Sequence, residues 1–271
     1  MNANDVSARG AIWLAALTRG APLRPGFPPS VLVADAKLGR HAARYIAVVP
    51  DPANPYARAR TGEVGLVEAW EIARAVRQVV DADPKRAEKR ALVAVIDVTS
   101  QAYGRLEEAC GIHQALAGAV DAYATARLEG HAVVGLIVGR AMSGAFLAHG
   151  YQASRLIALS DPQVMVHAMG KESAARVTQR TVAELEALTG NIAPMAYDID
   201  SYASLGLLWK LLNVARPDAP TPADLQAVEQ ALIGAYEDIT HDPSRALAGR
   251  LDPRGRPASV RVRERLREQW K

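Results

Sequence analysis

Two dense apolar runs, within RALVAVIDVTS (90–100) and HAVVGLIVG (131–139), constrain the fold more than any other feature of this chain. Each is short, rich in β-branched residues and without polar alternation, the pattern of a strand buried on both faces. Between them GRLEEACGIHQALAGAVDAYATARLEG (104–130) reads as one long Ala-rich helix closed by Gly130. The same alternation extends in both directions. A helix is expected over 7–18, strands at VLVADAKL (31–38) and ARYIAVVP (43–50), and a helix at 62–80. Beyond 139, SGAFLAHGY opens another helix, and RLIAL (155–159) and VMVHAM (164–169) read as short strands. Helices are then expected at 173–180, 181–190, 201–213 and 222–238. Strands and helices in alternation with short connections make an α/β domain. The one boundary signal is ARPDAPTPAD (215–224), so 1–271 reads as a single domain with a helical C-terminal appendage from about 215.

Composition removes several function classes. Cys110 is the single cysteine, which excludes an internal disulfide, and no Cys/His spacing suggests structural zinc. No stretch approaches the length of a membrane span. The apolar run Ala11–Leu17, preceded by Asp5, is at the short end for a signal core, so a cytoplasmic location is expected. The net charge of +3 hides an uneven distribution: residues 245–271 hold nine basic and three acidic residues, and the remainder is net acidic. With only 5% aromatic residues, this is a basic tail and not a nucleic-acid surface. The segment VRVRERLREQWK reads as a solvated helix or as a docking surface for an acidic partner.

Two strand-to-helix junctions are the places where chemistry is expected: IDVTSQAYGRLEEACG (96–111) and LIVGRAMSGAFLAHG (136–150). The first N–H groups of a helix have no intrahelical acceptor, and a Gly-containing turn lets an anionic oxygen approach them. Such donors suit a carboxylate or a developing oxyanion. Metal-binding pairs such as HExxH, the phosphate loop and the GxGxxG fingerprint are all missing, so neither a metal nor a nucleotide is expected. A competing reading takes AMSGA (141–145) as a nucleophile elbow, with Ser143 activated by His167, 24 residues on, and Asp161 or Asp198 as a third member. That would make the chain a stand-alone serine hydrolase of the ClpP/crotonase fold.

The blocks IDVTSQAYGRLEEACGIHQA, GLIVGRAMSGAFLAHGYQASRLIAL, DPQVMVHAMGKESAARVTQR and PMAYDIDSYASLGLLWKLL together resemble the gamma subunit of biotin-independent malonate decarboxylase. More remotely the chain is similar to the C-terminal half of acyl-CoA carboxyltransferases, members of the ClpP/crotonase superfamily. The resemblance implies an α/β, crotonase-like spiral of ββα units with two roughly perpendicular sheets. It also implies a site shared with a beta subunit, where backbone-amide oxyanion holes serve decarboxylation of a malonyl thioester to the acetyl thioester and CO2. The thioester arm would be of phosphopantetheine type, delivered by an acyl-carrier subunit or as CoA, with no biotin and no metal. An acyl-transferring alpha subunit would complete the assembly, without nucleic acid or membrane.

Residue by residue, the Asp-x-Pro-Gly-x-x-Pro-Gly run of carboxyltransferases falls on Asp97–Gly104, with Thr99, Ser100 and Tyr103 in place of its first Pro, first Gly and second Pro. The G-x-x-x-G-G-A pattern falls on Gly139–Ala145, with Ser143 replacing a glycine. Under this resemblance, the alteration of the biotin-facing loop fits an enzyme that releases CO2 instead of passing it on. The resemblance thus assigns the anion-facing amides to Gly104, Arg105, Ser143 and Gly144. Ser100, Gln101, Ala102, Tyr103, Met142 and Ala145 become substrate-binding candidates, Gln101 and Tyr103 for polar contacts to the departing carboxylate. Leu205–Trp209 and helix 105–128 are candidates for an apolar partner surface. A third reading, a non-catalytic scaffold of a decarboxylase complex, stays open.

Overall fold

Seven strands share one hydrogen-bonded sheet in the computed structural model, which describes residues 7–190, 192–242, 247–250 and 256–270. They are β1 (Val31–Leu38), β2 (His41–Val48), β3 (Ala91–Val98), β4 (Val133–Met142), β5 (Arg155–Leu159), β6 (Met165–His167) and β7 (Lys210–Leu212). The order is β1-β2-β3-β4-β5-β7, and only β1 and β2 pair antiparallel. Parallel pairing explains the apolar runs, because helices cover such strands on both faces. Every residue of β3 is buried. Two helix pairs supply the cover: α2 (Leu66–Ala82) with α4 (Ile112–Leu128), and α1 (Arg9–Leu17) with α9 (Pro222–His241).

In place of the two perpendicular sheets expected, the described residues form this one sheet, with β6 off its main order. That strand pairs with Arg140–Met142 at the end of β4, beyond the part of β4 that pairs with β5. The long β4 therefore pairs with β5 along its first half and with β6 at its end.

Three expectations change in detail. The long helix over 104–130 is two helices, α3 (Arg105–Ala109) and α4, because Gly111 adopts φ +78° and turns the chain between them. The helix expected at 201–213 stops early as α8 (Ile199–Ser204). Gly206 at φ +70° redirects the chain, and Lys210–Leu212 becomes β7 against β5. Residues 171–189 form α6 (Lys171–Val177) and α7 (Val182–Thr189), the second opened by a Thr181–Glu184 capping box. At the C-terminus α9 buries Val228, Leu232, Tyr236 and Ile239 in the main core, whereas α10 (Pro257–Gln269) buries nothing.

Glu68 fixes the segment that runs beside the candidate site. Fully buried near the start of α2, it accepts from the Gly65 amide at 3.0 Å and from Ser30 Oγ and Asn54 Nδ2 at 2.7 Å each. Three donors satisfy a carboxylate that would otherwise be costly to bury. Among the described residues no helix is long and apolar enough to cross a membrane.

Candidate active site

The first turn begins at a bulge. The β3–β4 register shifts between Ile96 and Val98, which turns the Asp97 carboxylate towards the start of α1 and the end of β4. Asp97 accepts from the Gly10 amide at 3.3 Å, from the Arg140 amide at 3.1 Å and from the Ser7 hydroxyl. A Cβ on Gly139 would lie 2.1 Å from Asp97 Oδ1, so glycine is required there by space. Beyond β3 the chain runs alongside residues 62–64. Val64 N donates to Ser100 O at 3.0 Å and Ala102 N to Val64 O at 2.9 Å. Tyr103 then stands exposed, and Gly104 leads into α3. Gly104 is extended, at φ −171°, so its glycine too answers to space. A Cβ would meet Glu107 Oε2 at 2.3 Å and Arg58 Nε at 2.5 Å. Glu107 comes from the first turn of α3 itself, whereas Arg58 is brought there by the fold.

The second turn has no loop at all. β4 ends at Met142 and α5 (Ser143–Ala148) starts with Ser143 at φ +58°, a left-handed conformation that costs a non-glycine residue about 1 kcal/mol. The Gly144 amide donates to Gln101 Oε1 at 2.9 Å. This bond joins the two turns, which lie 43 residues apart in sequence. Ala102, Met142 and Ala145 are buried, so their side chains shape the turns from within. Tyr103, Leu106 and Leu147 are the exposed apolar residues flanking both turns. The run Leu205–Trp209 is instead part of the core face: Leu207 is buried, and Leu205, Leu208 and Trp209 pack against the main cluster.

Register brings His167 to the second turn, because it pairs with Met142, the residue before Ser143. Ser143, Gly144, Leu147, His167, Pro194 and Tyr202 line one cleft of about 300 Å³. The His167 ring stacks on Tyr197 with centroids 3.9 Å apart, and Nδ1 lies 2.9 Å from Met169 O. Burial pushes its pKa down, opposed by the Met169 carbonyl. No hydrogen bond joins Ser143 to His167 among the described residues. The two candidate third members are engaged elsewhere. Asp161 pairs with buried Arg9 at 2.8 Å, and Asp198 accepts from Ser201 N at 2.8 Å at the start of α8. A shared cleft without the relay of contacts is not a triad. Among the described residues no group of three His, Cys, Asp or Glu side chains converges as a metal site.

Residues 59–270 match the family model of the malonate decarboxylase gamma subunit. The chain belongs to that family. Two structures of a Pseudomonas malonate decarboxylase carry the likeness through the whole fold. A chain of its hetero-tetramer in complex with coenzyme A is 62% identical, with TM-score 0.94, over 97% of this chain and 100% of that one. A chain of its MdcD–MdcE hetero-dimer is 61% identical, with TM-score 0.90 and the same coverage. The malonyl-S-ACP:biotin-protein carboxyltransferase MADD of Malonomonas rubra is 30% identical over 200 residues, 73% of this chain. The gamma-subunit chain spans 65% of that relative's length. At the level of fold alone, the transcarboxylase 12S core superposes with TM-score 0.62 at 17% identity, over 86% of this chain and 43% of that one. The mixed α/β, crotonase-like carboxyltransferase fold expected from the sequence is thus the fold of this gamma subunit.

Proposed function

We propose that this gamma subunit forms, with a beta subunit, a composite site that decarboxylates a malonyl thioester to the acetyl thioester and CO2. The observation that carries the reading is the Gly144–Gln101 hydrogen bond, which couples two small-residue turns into one surface. The exposed Tyr103, Leu106 and Leu147 around it are the surface a partner subunit would cover. In this reading the amides of Gly104, Arg105 and Ser143 face anionic oxygens, and Gly144 holds Gln101. Ser100, Gln101, Tyr103 and the backbone over Ala102, Met142 and Ala145 shape the substrate-binding surface.

The chemistry asks for little more than fixed donors. The bond between the α carbon and the carboxylate breaks, its electron pair stays with the thioester as an enolate, and CO2 leaves uncharged. A proton from water or from the partner then gives the acetyl thioester. Preorganised N–H groups stabilise the charge as it moves, without reorganisation. A phosphopantetheine-type arm on an acyl-carrier subunit, or CoA, would present the thioester, and an acyl-transferring alpha subunit would recharge it. Neither biotin nor a metal has a part in this scheme, and the assembly is placed in the cytoplasm. The basic helix α10 supports attraction of an acidic carrier, since complementary charge speeds encounter.

The test is Ser143→Ala in the two-subunit mixture, read as CO2 release from a malonyl-thioester carrier. Backbone donors survive this change, so turnover stays within a few fold. A collapse by about 10³-fold or more would instead assign the work to the Ser143 hydroxyl, as in a hydrolase.

A further inference from the structure

We infer that Gln101 is the residue through which this subunit recognises the free carboxylate of the malonyl group, its carboxamide oxygen bound by Gly144 and its NH2 presented to the substrate. The inference rests on the decarboxylase reading and assigns a specificity role within that site.

Every acceptor on Gln101 is occupied. Ser100 Oγ donates to its backbone carbonyl at 2.7 Å, and the Gly144 amide donates to Oε1 at 2.9 Å. An N–H cannot donate to an NH2 group, so the Gly144 bond fixes which end of the carboxamide points away from the turn. The backbone is held as well, by the pairing of Val64 with residues 100–102. Nε2, with two N–H donors, has no hydrogen-bond partner among the described residues. Gly144 itself fits this role. Its φ is not positive, so it is not there for conformation, and a Cβ would stand 3.3 Å from Oε1 and 3.4 Å from Cδ of Gln101. A Cβ at 144 would be in tight contact with the carboxamide, which would have to give by a few tenths of an ångström.

The chemistry favours a neutral donor at this place. The carboxylate must lose its charge as it departs as CO2. A cation would hold the ground state more tightly than the transition state and so slow the step. A carboxamide NH2 supplies direction and discrimination with a smaller penalty. The Gly144 amide then acts on substrate only through Gln101, which leaves the Ser143 amide as the anion-facing donor of the second turn.

Gln101→Glu tests this in the reconstituted complex. Glutamate keeps an oxygen for the Gly144 amide and the same length, but replaces the donor with a negative oxygen. Expected are a rise in KM for the malonyl thioester of about 10- to 100-fold, a smaller change in kcat, and unchanged binding of acetyl-CoA. The KM returns towards wild type as the pH falls and the introduced carboxyl protonates. Gln101→Met, which lacks both groups, loses the preference for malonyl-CoA over acetyl-CoA without pH recovery. If Gln101→Glu keeps the wild-type KM and malonyl preference while the wild-type complex turns over, the inference is wrong and the decarboxylase reading stands. If the wild-type complex releases no CO2, the decarboxylase reading itself fails.

Discussion

Replacing Arg105 by proline isolates one backbone amide from everything else the residue does. Arg105 is the first residue of α3, so its N–H belongs to the helix-start donors that lack an intrahelical carbonyl. The bond that closes this first turn runs from Glu108 N to Gly104 O at 2.9 Å and does not involve it. Gly104, at φ −171° and ψ 168°, already has the extended conformation preferred before proline, and proline is at home at the first helical position. The Arg105 side chain is exposed. The stability change should therefore stay within about 0.5 kcal/mol. An oxyanion donor contributes about 2.7–4 kcal/mol, or 10²- to 10³-fold in kcat. The two effects differ enough in size to be separated in one experiment. Arg105→Ala removes the guanidinium and keeps the N–H, so it serves as the reference. Initial rates of CO2 release by each complex, beside their melting temperatures, give the comparison. If Arg105→Pro assembles, melts normally and stays within threefold of Arg105→Ala, this amide faces no developing charge and the assignment is wrong.

Gly139→Ala drives a methyl into the Asp97 carboxylate and breaks its bonds to Gly10 and Arg140; overpacking and lost charged hydrogen bonds together predict a destabilisation of about 3 kcal/mol or more in denaturant unfolding. Burial pushes His149 from an ordinary value of 6.5 down to about 4, against hydrogen bonds that raise it. The unfolded chain therefore binds a proton that the native one refuses. Stability from this group is complete above pH 6.5 and falls by about 3 kcal/mol on the way to pH 4; unfolding curves across that range, with His149→Gln as a non-titrating control, should show the slope and its loss. Truncation after residue 255 removes α10, which buries nothing, and should shift the melting temperature by less than about 2 °C. The same truncation should flatten the salt dependence of carrier-dependent turnover, since a screened charge attraction has been removed.

The sequence made the sheet legible because parallel strands under helices must be apolar on both faces, and β3 and β4 are. It misread Lys210–Leu212 as helix, because a short apolar run such as LGLLWKLL carries no decisive period. The turn glycines at 111 and 206 carry that information in their positive φ, which a glycine in a sequence does not announce. The strand–Gly–helix pattern marks both candidate turns in the sequence, and their proposed roles come from the resemblance. What stayed hidden was long-range. Nothing local says that Gln101 reaches the Gly144 amide, that Arg58 crowds Gly104, or that β6 register sets His167 beside Ser143. Ser143 reads as a nucleophile candidate because elbows contain serine. Its left-handed φ fits such an elbow, yet the histidine beside it is tied to Met169 and lacks an acidic partner.

The most direct test of the composite site is CO2 release from a malonyl-thioester carrier by this chain alone, by its beta subunit alone, and by the two together. Turnover is expected only in the mixture, with the Ser143→Ala mixture close to it. Full turnover by either subunit alone would contradict a site shared between them.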